Sequence, residues 1–407
     1  MATVSTIATV MRPPSRSVIV AALGVAQILA WGSSYYLPAV LAQPIAADTG
    51  WPLSWVVGGL SLGLLAAGLL APAIGRQIHR RGGRPVLAAS ALLLAIGSVG
   101  LAIAPNLPVF IAAWLVMGLG MGAGLYDAAF STLGRLYGQG ARGPITIVTL
   151  FGGLASTVCW PLSTFFLGAF GWRGACLAYA AIHLAINLTL YLITLPRDPG
   201  PVPADDPADL TRSSTVRTPR SMRTIFLLVA VTLTTSSVLS TLVSVHLLAM
   251  LQAREIALAA AVALGALIGP AQVGARFVEM LFGKYHHPIW THLVSAAAVA
   301  LGLGLLWQDV PLIPLALIFY GAGIGLESIA RATLPLALFG AVDYAPAMGR
   351  IARPSLIAQA AAPSIGAFLM LRFGTDGTLG LLAIVAGLNL LLALVLLHRV
   401  RCLPASC

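Results

Sequence analysis

The sequence predicts an all-α membrane protein of twelve transmembrane helices, arranged as two six-helix, pseudo-symmetric halves. Three observations lead there. Hydrophobic residues make up 59% and charged residues 9% of the 407 positions, whereas a soluble domain carries roughly a quarter charged. Long apolar runs recur along the chain, each enough to cross a hydrocarbon layer about 30 Å thick at about 1.5 Å per residue. Midway, a single polar, proline-rich segment separates two sets of such runs.

The first run, 17–42, contains Gln27 and the stretch WGSSYY, Trp31 to Tyr36, with Pro38 close behind. Gly32 and Pro38 permit a kink, tolerable at membrane depth where protein or a wet cavity satisfies the freed backbone groups. Tyr35 and Tyr36 belong either to such a cavity or to an interfacial aromatic belt. The first sixteen residues lack a small-residue cleavage site behind a short apolar core, so this span is expected to stay attached. Span 2, 51–74, ends at the basic stretch GRQIHRRGGRP, Gly75 to Pro85, and Pro85 opens span 3, 85–104. Span 4, 107–133, holds Asp127; span 5, 144–169, holds Pro161; span 6 is 172–195.

The segment 196–222, PRDPGPVPADDPADLTRSSTVRTPRSM, is too polar and too rich in proline for a span or a core and reads as a solvated linker. Span 7, 223–249, is the most polar, with Thr232, Ser236, Ser240 and Ser244 on one face and His246 near its end. Hydroxyls so spaced serve close helix packing or line a cavity. His246 is either a structural residue or a proton-coupling group. Spans 8 to 12 cover 256–279, 289–307, 311–337, 353–373 and 377–398.

Residues 1–195 and 223–407 form the two halves, and they echo one another at an offset near 203. Pro85 matches Pro288, Gly118 and Gly120 match Gly321 and Gly323, and Phe170-Gly171 matches Phe373-Gly374. An even number of spans per half gives both the same orientation, as in parallel repeats about an axis along the membrane normal.

The net charge of +11 marks orientation rather than a nucleic-acid partner. Arg76, Arg80, Arg81, Arg84, Arg135, Arg142, Arg197, Lys284, Arg350, Arg353, Arg399 and Arg401 all fall on the side that holds both termini. The opposite loops hold only Arg173, Arg254 and Arg372. That excess places both termini in the cytoplasm of a multi-pass protein of the cell inner membrane. Cys159, Cys176, Cys402 and Cys407 show no metal-ligand spacing, so neither a metal nor a cofactor is expected. No phosphate-cradling Gly-x-x-x-x-Gly-Lys-Ser segment occurs. His183, His246 and His292 lie in separate spans with no nucleophile in a strained turn, so an intramembrane enzyme is the remote alternative and no catalytic residue is assigned.

The stretch after span 2 resembles the loop signature of the major facilitator superfamily: Gly75, Arg80, Gly83 and Arg84 match it, and His79 stands where the family usually has Asp. The resemblance implies a tight cytoplasmic turn whose charges lock the end of span 2 when the carrier faces outward. The arginines also suit the exposed carbonyls of helix C-termini. GARFVEMLFGKYHHP, Gly274 to Pro288, is a fainter copy in the second half, with Arg276 and Glu279 where Arg76 and His79 fall. Gly171-Trp172-Arg173-Gly174 and Arg142-Gly143 are also similar to the family. What the family implies is a secondary carrier whose spans 1, 4, 7 and 10 line a central cavity.

Ionisable groups deep in a span are costly and so are candidates for function. Asp127 in span 4 and Arg331 in span 10 lie at one depth in corresponding helices. Glu327 and Arg331, four apart, share a helix face and can pair directly. Arg331, held by Glu327 or Asp127, either binds an anion or bridges the halves; the bland alternative is a permanent Glu327–Arg331 pair. Arg276 either snorkels at the end of span 8 or, read within GPAQVGAR, resembles the substrate-binding arginine of the monocarboxylate and oxalate carriers. That branch has an Asp four residues earlier, where this chain has Gln272. The expected function is a monomeric carrier in the lipid bilayer moving a small solute, favoured as a small organic anion, with proton or ion coupling. Efflux of a drug or a metalloid such as arsenite is the alternative, although GGLASTVCWPLS in span 5 keeps Pro161 without the flanking glycines of drug exporters.

Overall fold

The computed structural model describes residues 15–197, 220–308 and 310–402. The body of the expected linker, 198–219, and Cys407 lie outside the described residues. Everything described is helix or short connection. In chain order the helices are α1 (Arg16–Ser33), α2 (Leu37–Thr49), α3 (Leu53–Arg81), α4 (Gly83–Ile103), α5 (Leu107–Gly124), α6 (Tyr126–Tyr137), α7 (Arg142–Gly153), α8 (Ala155–Ile182), α9 (Thr189–Thr194), α10 (Arg220–Gln252), α11 (Leu258–Gly265), α12 (Ile268–Phe282), α13 (Pro288–Trp307) and α14 (Ile313–Arg401).

Where the sequence suggested twelve separate spans, eight helical runs among the described residues are long and apolar enough to cross a membrane. Two of them, Leu107–Thr194 and Ile313–Arg401, hold 88 and 89 residues. At about 1.5 Å per residue each is roughly four times the thickness of a hydrocarbon layer, so both fold back on themselves. The corners are glycines in the left-handed region: Gly138 (φ 56°) and Gly171 (φ 67°) in the first, Gly340 (φ 72°) and Gly374 (φ 67°) in the second. Lacking Cβ, glycine takes that backbone without penalty. The two pairs recur at nearly the offset of the sequence echo.

Apolar residues alone do not hold helices together in lipid, where the surroundings are equally apolar; close backbone approach does. Gly118 of α5 lies against Gly63 of α3, and a Cβ there would collide with the Gly63 carbonyl. Gly302 of α13 meets the backbone of Tyr320 in the same way. The outer face presents Ile103, Phe165, Ile193 and Leu371, each more than 60% exposed, as a surface solvated by lipid tails would.

The first and last described helix ends, at Arg16 and Arg401, lie at one end of the bundle. Arg16 at the start of α1 donates to the Gly140 carbonyl after α6, and Arg401 stacks over Trp290 at the start of α13. Arg142 beside Gly140 reaches Glu279 and the His286 carbonyl just before α13. We call this the terminal end. The distal end is tied within each helix set by Arg173–Asp48 and Arg254–Asp376.

At the terminal end α3 and α14 touch backbone to backbone. Gly75 lies inside α3 against the Ala345 carbonyl, and Gly349 lies against Ala71. This corrects the expected turn: helix continues through Arg81, the only left-handed residue is Gly82 (φ 77°), and Gly83 opens α4. His79 and Arg80 occupy the last turn of α3, where positive charge suits the helix dipole. Arg84 donates to the Leu192 carbonyl in the last turn of α9 at 2.6 Å. The second-half copy is corrected likewise, since Gly274 to Phe282 is helix and the connection shrinks to 283–287.

Candidate solute-binding site

Two helix breaks build the site. The first run breaks at 34–36 between α1 and α2, and span 4 breaks at Leu125, whose ψ of −167° separates α5 from α6. A break frees carbonyls that need partners in a dry environment. Gln27 supplies one, its Nε2 donating to the Gly124 carbonyl at 2.7 Å while its Oε1 accepts from Trp31 Nε1 at 3.2 Å. Fully buried Gln27 therefore staples α1 to the broken helix and does not reach a solute. The same break makes Asp127 a first-turn residue of α6, where the positive end of the helix dipole favours a carboxylate.

Asp127 faces Arg331. Arg331 Nε donates to Oδ1 and Nη2 to Oδ2, both at 3.1 Å, and Nη1 donates to Ser237 Oγ at 2.9 Å. One guanidinium thus joins α6, α10 and α14. The intrahelical Glu327–Arg331 pair does not form: Glu327 turns to α13, accepting from Ser295 Oγ at 3.1 Å, with His292 Nδ1 3.3 Å away.

Arg276 is resolved toward the interior, 5% exposed. It donates to the Thr149 carbonyl at 3.0 Å, the Gly325 carbonyl at 3.3 Å and Gln272 Oε1 at 3.3 Å. The snorkelling placement is overturned because α12 extends past it, leaving its head at mid-helix depth. Glu279, one turn on, does face the terminal end, paired with Arg142 at 3.3 Å and bonded to Thr291 at 2.8 Å.

These groups surround a cavity of about 280 Å³ lined by α1, α3, α5–α7, α10 and α12–α14. Asp127, Arg276, Glu327 and Arg331 all lie on its wall, with Ser236, Ser237, Ser240 and Ser244 of α10. Tyr35 and Tyr36 are there too, inside an aromatic cluster: Trp31 lies 5.3 Å from Tyr35 and 5.0 Å from Tyr126, and Tyr36 6.3 Å from Trp160. They line the cavity rather than an interfacial belt. His246 is off the wall; its Nε2 sits 3.0 Å from the Pro363 carbonyl and the ring packs on Gly366. Thr232 is likewise buried away from it, bonded to the Val229 carbonyl.

Sequence reasoning missed three relationships: Arg142–Glu279, His292–Glu327 and Asp48 with the Trp172-Arg173 pair, where Trp172 Nε1 donates to Asp48 Oδ2 at 2.8 Å. Only the last had a signal, in the Gly-Trp-Arg-Gly stretch.

A family model described as the Major Facilitator Superfamily matches residues 23–290. The chain is 31% identical over 160 residues to the Multidrug resistance protein B homolog of Mycobacterium tuberculosis, covering 39% of this chain and 29% of that one. It is 30% identical over 171 residues to Monocarboxylate transporter 11 of Homo sapiens, covering 40% and 33%. The chain thus spans about a third of the length of these relatives. Among solved structures it resembles the proton:xylose symporter XylE (TM-score 0.73, 14% identity, 92% and 94% covered). It also resembles the human organic anion transporter MFSD10 (0.71, 17%, 93% and 100%) and FucP in the outward conformation (0.68, 14%, 94% and 99%). At these identities the likeness is one of fold.

Proposed function

The chain belongs to the major facilitator superfamily, and from that premise we propose that it is a secondary active transporter moving a small organic anion by alternating access. Residues 1–195 and 223–407 act as two rocking halves joined by 196–222. The helical runs make twelve crossings once the glycine corners are counted as reversals. The excess of basic residues in the loops at the terminal end supports its placement in the cytoplasm of a cell inner membrane; on that reading the contact between α3 and α14 there corresponds to an outward-facing carrier, working as a monomer.

The observation that carries the anion is the set of partners of Arg276. Its guanidinium is buried on the cavity wall, yet its acceptors are two carbonyls and the amide of Gln272, all neutral. Arg331, by contrast, is neutralised by Asp127. A buried charge lacking a counter-ion is unfavourable by several kcal/mol, and a carboxylate on the solute supplies the missing charge. Gln272, in the place of the Asp of the monocarboxylate branch, leaves Arg276 available to the solute instead of to an internal acid. The partial match to a monocarboxylate transporter supports the same reading.

The aromatic cluster of Trp31, Tyr35, Tyr36 and Tyr126 favours a second reading, efflux of a planar drug, to which the multidrug relative lends support; a metalloid such as arsenite belongs to the same efflux alternative. Thermal unfolding of the purified protein separates the two, because a ligand raises the midpoint with occupancy. Lactate, oxalate or benzoate is expected to stabilise the wild type and to lose that effect in Arg276→Gln. Stabilisation by ethidium or arsenite alone, indifferent to Arg276→Gln, rejects the anion reading.

A further inference from the structure

The aromatic cluster and the arginine without a counter-ion are parts of one wall. Just past the break at Leu125, Tyr126 reaches from the first turn of α6 to α7, where its hydroxyl donates to the Thr149 carbonyl at 3.3 Å. Arg276 Nη1, arriving from α12, donates to the same oxygen at 3.0 Å. Both reach it over a pair of glycines at the end of α7. A Cβ on Gly152 would collide with the Tyr126 hydroxyl, and one on Gly153 with Arg276 Nη1. A single carbonyl therefore sets a phenol and a guanidinium side by side.

The planar groups continue from there. Phe130, fully buried, stacks on Tyr126 with centroids 4.9 Å apart and an interplanar angle of 15°, which fixes the plane of the tyrosine. Trp31 meets Tyr126 at 5.0 Å and Tyr35 at 5.3 Å, and the rings of Tyr35 and Tyr36 cross edge to face at 5.4 Å. Trp31, Tyr35, Tyr36 and Tyr126 all lie on the cavity wall, each only partly buried.

We propose that the solute is an aromatic monocarboxylate, its carboxylate on Arg276 and its ring against Tyr126 and Trp31; this rests on the anion reading above and narrows it. An aliphatic acid as small as lactate brings the charge that Arg276 lacks but leaves the aromatic side chains facing water. Rings bury large areas and gain further from offset or edge-to-face contact with another ring. A cationic planar drug uses the rings, yet it sets a second positive charge beside a buried guanidinium whose partners are all neutral, which is repulsive in low dielectric. A flat apolar body with a negative head uses both parts of the wall. The Tyr126 hydroxyl, turned from Thr149 to the carboxylate, supplies a second donor there and leaves the carbonyl to Arg276. The cavity of about 280 Å³ falls below the roughly 300–1,000 Å³ of sites for drug-sized ligands, so the acid carries one or two rings at most.

Calorimetric titration of the full chain in detergent with four small molecules tests this, because they separate ring from charge. Benzoate has both, cyclohexanecarboxylate and lactate have the charge alone, and benzamide has the ring alone. Benzoate is expected to bind about three- to tenfold more tightly than cyclohexanecarboxylate, the size of effect one ring–ring contact supplies, and more tightly again than lactate. Benzamide is expected to be the weakest of the ring compounds. Tyr126→Leu is expected to bring benzoate level with cyclohexanecarboxylate, and Tyr126→Phe, which keeps the ring, to retain most of the preference. Should Tyr126→Leu fail to fold, the wild-type series decides alone. Cyclohexanecarboxylate or lactate binding as tightly as benzoate overturns the aromatic assignment and leaves the anion reading standing. Benzamide binding as tightly as benzoate, or no binding by any of the three acids, overturns the anion reading and this assignment together.

Discussion

Arg331 meets Asp127 fork to fork, with two donor–acceptor contacts of 3.1 Å between α14 and α6. Geometry of this kind adds orientation as well as energy. Both side chains are less than a quarter exposed, so removing one partner strands the other in low dielectric. Asp127→Asn is expected to cost roughly 3–5 kcal/mol, read as a lower unfolding midpoint in detergent. The double variant Asp127→Asn with Arg331→Gln is expected to recover most of that, because no unpaired charge remains. Additive losses show that the bridge is not the source.

The closed terminal end rests on glycines. A Cβ on Gly349 would collide with the backbone of Ala71, and one on Gly75 with Ala345. Gly349→Val is expected to push α3 from α14 at about 1–3 kcal/mol of overpacking. With Ser131, on the cavity wall, changed to Cys, a membrane-impermeant maleimide added from the terminal side should label the Gly349→Val background faster than the parent. Equal rates mean the barrier lies elsewhere.

Most of the fold was legible because lipid demands long apolar helices with satisfied backbones, and such runs are visible one residue at a time. The reversal glycines were partly legible, since Phe170-Gly171 and Phe373-Gly374 stood out as an echo and proved to be left-handed corners. Asp127 and Arg331 were legible as rare charges at matching depth. Their choice of each other over Glu327 was not, because it depends on the break at Leu125 and on His292 and Ser295 drawing Glu327 toward α13. Gln27 and His246 illustrate the other failure: a polar residue within a span can answer a freed carbonyl instead of a solute, and only the fold says which carbonyl is free.

The superfamily signature implied a charged lock at span 2, and His79 removes its acid. The ion pair joining the two helix sets at this end is instead Arg142–Glu279, with side chains 24% and 7% exposed. Solvent at Arg142 screens the pair, so its loss in Glu279→Gln should be worth about 1–2 kcal/mol. The same maleimide assay is expected to show faster labelling in Glu279→Gln and Arg142→Gln, and a return toward the parent rate in the exchange Arg142→Glu with Glu279→Arg. A double exchange no better than either single variant assigns the effect to packing.

His287 adds a dependence on pH at the same end. It caps α13, its Nδ1 accepting the Ile289 N–H at 3.2 Å. Burial first, then the neighbouring charges of Arg142 and His286, holds its imidazole below the usual 6.5. Between that lowered value and 6.5 the unfolded chain binds more protons than the folded one, so stability falls as pH drops through the window and levels off beneath it. Protonation at Nδ1 also removes the cap acceptor, so the loss should approach that of a helix cap, about 1 kcal/mol. Asparagine keeps an acceptor and does not titrate. The unfolding midpoint of His287→Asn is therefore expected to stay level between about pH 7 and about pH 5, across the ordinary histidine range, where the wild type declines. Equal slopes in the wild type and His287→Asn show that the acid sensitivity does not arise at His287.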